Sequence, residues 1–169
     1  EKQGMEAMDG PINFGENNKF WGLIIQNFED PTYYGQNYNP EYYVKFFEDY
    51  GFQVYYNQLV YKRNYNAELH RAFKVRSERI SRNPDYEVRR IEKKKLDEYT
   101  EYFRTIYNRA WVTHNNFKEM SKEQAMSIMK TMKPVIDENL IYFTFYQGKP
   151  VAFYISLPEL NLIFKHVNG

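Results

Sequence analysis

Three histidines, His70, His114 and His166, and a run of phenols around Tyr33–Tyr50 are the side chains of this sequence best suited to chemistry. A histidine works as a base or metal ligand when a neighbour poises it. None of the three stands in HxxxH, HExxH or a comparable ligand spacing. His70 falls in a charged helical stretch, where exposure explains it. His114, in His114-Asn115-Asn116, suits a loop or cap. Ser121 opens the pattern Ser121-Lys122-Glu123-Gln124, so an N-cap accounts for it better than a nucleophile does. The carboxylates Asp30, Glu41, Glu48 and Asp49 fit a helix N-terminus and a solvated face. Arg104 and Arg109 share a predicted helix with Glu98 and Glu101, where intrahelical pairing suffices. Glycines occur without GxxxxGK[ST] or GxGxxG, so no nucleotide loop is present in the sequence. No catalytic residue is therefore assigned, and no metal set.

The phenols differ. Gly22, Asp30-Pro31, Tyr33, Tyr34, Tyr38-Asn39-Pro40 and Tyr42-Tyr43 combine turns with dense aromatic character. Tyr33, Tyr34, Tyr38 and Tyr50 are the candidates for lining a substrate groove. Buried tyrosines used for hydrogen bonding are the simpler account of the same residues.

Composition limits the partners. The chain has 17 Tyr, 13 Phe and 2 Trp among 169 residues, enough apolar surface for one domain or two half-size units sharing a core. Lys plus Arg number 23 against 22 Asp plus Glu, a balance that argues against nonspecific nucleic-acid attraction. The basic residues concentrate in Arg71, Lys74, Arg76, Arg79 and Arg82 and then Arg89, Arg90 and Lys93–Lys95. Glutamates interrupt both groups, as on a solvated helical face. Zero Cys excludes disulfides and thiolate metal sites. No apolar run approaches the roughly 20 residues that span a bilayer, and no signal peptide is visible. A cytoplasmic protein without nucleic-acid or membrane partners is the expectation.

The elements that must position these residues follow from periodicity. Glu1–Ala7 resembles the end of a helix, Ile12–Phe14 a short strand, and Phe20–Ile25 either type. Asn39 caps a predicted helix that starts at Pro40 and closes at Gly51, with Tyr42, Tyr43, Phe46, Phe47 and Tyr50 as its stripe. Phe52–Tyr61 suits a strand. Asn66 to about Ser81 is a charged amphipathic helix with Leu69, Ala72, Phe73 and Ile80 inward, ended by Asn83-Pro84-Asp85. Tyr86–Ile91 alternates as a strand, with Tyr86, Val88 and Arg90 on one face. A long helix runs from near Lys94 through Leu96, Tyr99, Phe103, Ile106, Tyr107, Ala110 and Trp111. Ser121–Gln124 opens another, through Ala125, Ile128, Met129 and Met132, before Pro134. Leu140–Tyr146 and Pro150–Leu157 flank Gln147-Gly148-Lys149 and form a predicted hairpin under the long helix. A turn and a final helix follow.

These motifs carry a resemblance. The order strand, long helix, second helix, hairpin is similar to the opening half of a GNAT-type N-acetyltransferase domain. Gly10-Pro11-Ile12-Asn13-Phe14, Tyr38-Asn39-Pro40-Glu41-Tyr42-Tyr43, Ile106-Tyr107-Asn108-Arg109-Ala110-Trp111, Lys149-Pro150-Val151-Ala152-Phe153 and Leu157-Pro158-Glu159-Leu160-Asn161 resemble a group of bacterial GNAT-like proteins with two units in tandem. The resemblance implies an α/β fold with a mixed sheet, flanking helices and partial acyl-CoA N-acyltransferase-like units. Residues 1–65 would be the C-terminal half of one unit, 66–85 a linking helix and turn, and 86–169 the N-terminal half of a second.

It also implies acetyl-CoA or another acyl-CoA as cofactor and a small-molecule amine as substrate of the full-length relative. GNAT proteins hold the pyrophosphate with a Q/R-x-x-G-x-G/A loop at a helix start. No such stretch occurs in this sequence, so no cofactor-binding residue carries over. The expectation is an internal fragment of an N-acyltransferase-like protein, inactive alone and binding little acyl-CoA. The alternative is a noncatalytic interaction module using an aromatic-rich groove. Sheet edges lacking their complementary halves predict either a homodimer or pairing of the two half-sheets within the chain.

Overall fold

A computed structural model describes residues 4–11, 22–113 and 118–167. The expected strand at Ile12–Phe14, the first two residues of the segment Phe20–Ile25 and His114 lie outside them, as does the start of the expected helix end. The chain divides into two compact units, Glu1–Lys62 with Glu159–Gly169, and Arg63–Pro158.

The second unit contains the helices α2 (Arg71–Ser81), α3 (Leu96–Trp111) and α4 (Lys122–Met132), with the strands β1 (Tyr86–Arg90), β2 (Ile141–Tyr146) and β3 (Lys149–Ile155). The strands form one sheet in the order β1-β2-β3. Both pairings are antiparallel, with Arg89 opposite Phe143 and Phe143 opposite Phe153. A mixed sheet was expected; every pairing among the described residues is antiparallel.

The hairpin turns through Gln147 and Gly148, both at positive φ (48° and 74°). Two left-handed residues are what a two-residue connection needs to match the strand twist, and Gly148 supplies one without a Cβ penalty. Between Thr144 and Phe145 the register shifts, leaving Val151 as the extra residue beside Pro150. A bulge on an outer strand accommodates a residue that has no N–H to donate.

α3 lies along the hairpin and α4 packs beside α3. Leu96, Tyr99, Phe103 and Ile106 of α3 meet Ile141, Phe143 and Phe145 of β2, together with Ala125, Met129, Ile91 and Ile136. Phe143 is wholly buried. Strict alternation along β2 sends Ile141, Phe143 and Phe145 inward and leaves Tyr142, Thr144 and Tyr146 on the opposite face. Tyr86 and Val88 of β1 share that outer face and are exposed. Two local devices fix α3 and α4. The Ser121 side chain accepts from Gln124 N–H while the Gln124 side chain reaches back to Ser121 N–H, the expected capping box. The Asn108 side chain exchanges two hydrogen bonds with the Met120 backbone (2.8 and 3.1 Å).

α2 departs from expectation. It begins after an N-cap at His70, whose Nδ1 accepts from Ala72 N–H (3.2 Å), and none of its residues is buried. Leu69, Phe73 and Ile80, expected inward, are exposed. The interior hydrogen bonds of a helix close within the segment, so an uncovered stripe does not leave them unpaired.

The first unit contains α1 (Tyr42–Asp49) and α5 (Leu160–Phe164). Gly51, at φ 101°, donates to Glu48 O while Phe52 N–H donates to Phe47 O, so Gly51 closes α1 as expected. The start differs. Glu41 is the N-cap, and Asn39, expected to cap, is turned elsewhere. The α1 stripe is not core: Phe46 is 60% exposed and no α1 residue is buried. The expected strand Phe52–Tyr61 has no regular structure, and neither do residues 22–25 nor residues 4–7. An isolated extended segment leaves its N–H and C=O groups to water, and aromatic β-propensity acts only through neighbouring strands. Without that strand there is no first half-sheet among the described residues, and intrachain pairing of two half-sheets is not observed.

Candidate functional site

The Tyr-rich segment is held by amides. Asn39 is buried; its Oδ1 accepts from Ile24 N–H (2.8 Å), and its Nδ2 lies 3.1 Å from Ile24 O and from Pro40 O. One primary amide thus substitutes for a strand partner along the extended backbone at Ile24. Asn37 Nδ2 donates to Gly22 O (2.8 Å), and Gly22 N–H donates to Pro11 O (2.8 Å).

The segment is also tied to α5. Glu159 Oε1 accepts from both Tyr34 N–H and Asn161 N–H, each at 2.8 Å. Asn161 Nδ2 donates to Thr32 O (2.9 Å), and the Tyr34 ring meets Phe164 edge-on at 5.8 Å. Glu159 is at once the N-cap of α5 and the anchor of the Tyr33-Tyr34 turn. Here a carboxylate answers backbone donors at a helix start.

The four groove candidates do not converge. Tyr33 and Tyr34 sit on the turn anchored by Glu159, with their rings substantially exposed. Tyr38 and Tyr50 are 82% and 80% exposed, and Tyr50 stacks on Phe52 (6.1 Å) at the end of α1. Tyr42, Tyr43 and Phe46 form a separate ring cluster with centroids 5.1 to 6.2 Å apart. The aromatic groove expected from the sequence is instead a set of exposed ring patches. Such rings offer flat apolar contact and phenolic hydrogen bonds to whatever approaches.

The second unit carries a polar cluster at the edge of its core. Arg89 grips Glu87 through two hydrogen bonds (2.5 and 2.6 Å), and its guanidinium lies 4.2 Å from the centre of the Phe145 ring. The hydrogen bond to Arg89 holds the Glu87 carboxyl below its usual value. Beside it Tyr102 donates to Glu98, and that bond raises the Tyr102 phenol above the ordinary tyrosine range. Burial does the same to Tyr99, which donates to Arg90 O (2.8 Å). At neutral pH both phenols are therefore protonated donors with their protons already committed. The cluster closes the edge of the core electrostatically and presents no spare base.

Other candidates resolve into structural pairs. Asp30 pairs with Lys62 (2.7 Å), Asp49 with Lys45 (2.7 Å) and Arg104 with Glu101 (2.5 Å). Ser121 Oγ is engaged with Glu123 and Gln124 N–H. His70 is the α2 N-cap, and His166 is exposed after α5. Among the described residues no group of three or more His, Asp or Glu is placed to hold a metal ion.

An acyl-CoA does not fit the starts of α1, α3, α4 or α5. Pyrophosphate needs free, convergent backbone N–H groups. The α4 donors are used by its capping box, and α5 begins on the Glu159 carboxylate. Asp97 and Glu98 occupy the first turn of α3, and Glu41 caps α1. Anionic side chains at these positions repel a diphosphate.

Two residues that matter here, Asn39 as a clamp and Glu159 as an anchor, have no such role on sequence grounds. Asn39-Pro40 has the form of a cap, and Glu159 lies far along the chain from the turn that it holds. A Pro immediately before Glu159, with Asn161 two residues on, is a local sign of a capped helix start. Nothing local signals its second partner.

Against known proteins, the chain is 22% identical over 162 residues to a bacterial ceramide synthase of Caulobacter vibrioides, covering 95% of this chain and 41% of that protein. It is 21% identical over 170 residues to protein YghO of Escherichia coli, covering 100% of this chain and 43% of that protein. No family model matches, and no solved structure does. The chain is therefore similar from end to end to two curated bacterial proteins, and spans about two fifths of the length of each.

Proposed function

We propose that this sequence is part of an acyl-CoA-dependent N-acyltransferase-like protein and is inactive by itself. One observation carries the reading: 95% of the chain aligns with a protein named for making ceramide. Ceramide is the amide of a fatty acid and a long-chain amino alcohol, so that name denotes formation of an N-acyl bond. The GNAT-like motif order and the antiparallel hairpin under a long helix support the same class.

The starts of α1, α3, α4 and α5 do not fit the cofactor, so the reading gives them no part in holding it. The part of the described residues is on the acceptor side. Tyr33 and Tyr34, with Phe164 beside them, supply apolar contact for an amine that carries a hydrocarbon or ring. Zero Cys is consistent with a cytoplasmic setting. Among the described residues no helix is long and apolar enough to cross a membrane.

The test is acyl transfer from a long-chain acyl-CoA to a panel of primary amines. CoA thiol release and the mass of the amide product are followed for the gene product carrying this sequence and for the 169-residue chain. Product from the former and none from the latter supports the reading. No product from the former with any amine overturns the class, and product from the 169-residue chain overturns its inactivity. A second reading, a noncatalytic interaction module, is favoured by the exposed ring cluster of Tyr42, Tyr43 and Phe46. Both readings admit a homodimer, which sedimentation equilibrium resolves as a departure from 20.6 kDa.

A further inference from the structure

Charge in this chain is balanced overall but divided along it. From Lys62 to Lys95 there are twelve Lys plus Arg against five Asp plus Glu, and elsewhere eleven against seventeen. α2 lies inside the basic segment with Arg71, Lys74, Arg76 and Arg79, and Arg82 at its C-cap, against a single Glu78. No residue of α2 is buried. Phe73 and Ile80, two turns apart on one side, are 61% and 41% exposed, and Leu69 just before the N-cap is 47% exposed. Among the described residues Arg71, Arg76 and Arg79 make no ion pair, while Lys74 pairs with Glu68 and Arg82 with Glu78.

We propose that α2 and the turn before it dock on an anionic lipid surface. Phe73, Ile80 and Leu69 would enter the headgroup boundary, with Arg76 and Arg79 on the phosphates. The pattern is that of an interfacial helix: eleven mostly polar residues, large exposed apolar side chains and a strong cationic excess. Long arginine side chains lie along apolar surface and still place their heads in the polar layer, so Arg76, between Phe73 and Ile80, suits this position. Two open surface hollows at the start of the helix carry Arg71, Lys74 and Arg63 at their walls, together with Glu68, which pairs with Lys74. Tyr65, exposed beside them, belongs to the residue type enriched at the membrane–water boundary. The arginines of the helix that make no ion pair find their charge complement in an anionic leaflet. A neutral surface offers only the apolar contact. The expectation of no membrane partner rested on the lack of a spanning segment, which a surface-lying helix does not need. The proposal stands whether or not the chain belongs to an acyltransferase.

The experiment is cosedimentation of the 169-residue chain with vesicles of equal phosphatidylglycerol and phosphatidylcholine, and with phosphatidylcholine alone. Binding to the anionic vesicles at low salt, at least tenfold weaker on the neutral ones and suppressed at high salt, is expected. Each cation near an anionic surface contributes about a fivefold factor, so the double variant R76E/R79E should partition at least tenfold less. Phe73→Ser should weaken binding severalfold, and Lys133→Glu, outside the segment, should leave it unchanged. Helix content by circular dichroism accompanies each variant, and R76Q/R79Q replaces the reversal if that protein does not fold. Absence of binding to anionic vesicles overturns the proposal, as does binding that R76E/R79E or its neutral substitute leaves intact. A dimeric chain that Phe73→Ser makes monomeric, with no vesicle binding, assigns the face to a second copy and overturns it too.

Discussion

α1 and α3 both present aromatic stripes at helical spacing, and only one of them forms a core. In the second unit Tyr99, Phe103 and Ile106 of α3 close over Phe143 and Phe145 of β2. In the first unit Tyr42, Tyr43 and Phe46 of α1 touch mainly each other and stay exposed. The two helices differ less in pattern than in what lies opposite. α3 faces a paired hairpin whose alternation sends a complementary row of side chains inward. Burial comes from two patterned elements meeting, and a stripe on one element supplies only half of it.

The strongest way to sharpen this contrast is to remove a ring from the buried row. Phe143→Ala should cost about 3–5 kcal/mol, from lost burial and the cavity left behind. Urea denaturation followed by far-UV circular dichroism measures it. A cost under about 1 kcal/mol would mean that the second unit is not organised around β2.

The first unit depends on polar clamps, so its comparable weak point is an amide. Asn39→Ala removes the bonds to Ile24 and leaves part-buried backbone groups unpaired, at about 1–2 kcal/mol. The effect should be local: faster amide exchange at residues 22–40 with α3 and the hairpin unchanged. Equal acceleration in both units would break the comparison. Ser121→Ala tests the helix start in the second unit and should cost about 1 kcal/mol through loss of the capping box.

Smaller still is the pH response of the Arg104 pair on α3. The hydrogen bond to Arg104 lowers the Glu101 carboxyl, so the folded state releases that proton more readily than the unfolded chain. The stability it contributes is present above the unfolded carboxyl range and is lost as pH falls through the lowered native value. Glu101→Gln should flatten that part of the acid slope in urea midpoints taken between about pH 6 and 3. Because the pair is substantially solvent-accessible, the change is slight. Phe46→Ala should do least, within about 0.5 kcal/mol, since the ring has little burial to lose. A loss of about 3 kcal/mol there would show the α1 stripe to be covered in solution, by a second copy or another partner.

Much of the second unit was legible. Ser121 and Gln124 announce the start of α4, Gln147-Gly148 marks the hairpin turn, and the α3 stripe names its own buried face. Candidate site residues were legible only as types. Tyr33, Tyr34, Tyr38 and Tyr50 are near one another in sequence, yet the turn at Tyr34 is held by Glu159, 125 positions away. Asn39 was misassigned because Asn-Pro is a plausible helix opening on local grounds, and its competing partner at Ile24 is a tertiary neighbour.

The sequence by itself determined the features whose bonds close within a few residues: the α3 and α4 helices, the Gly51 closure of α1 and the two-residue hairpin turn. Tertiary structure decided whether extended or amphipathic segments found a counterpart. Tyr86–Arg90 became a strand because β2 supplies a ladder, and Phe52–Tyr61, with comparable β-forming residues, did not. A helix makes its interior hydrogen bonds within itself, so the uncovered stripe of α2 leaves none of those bonds without a partner. A strand must borrow its hydrogen bonds from another part of the chain, and only the fold settles whether that part is there.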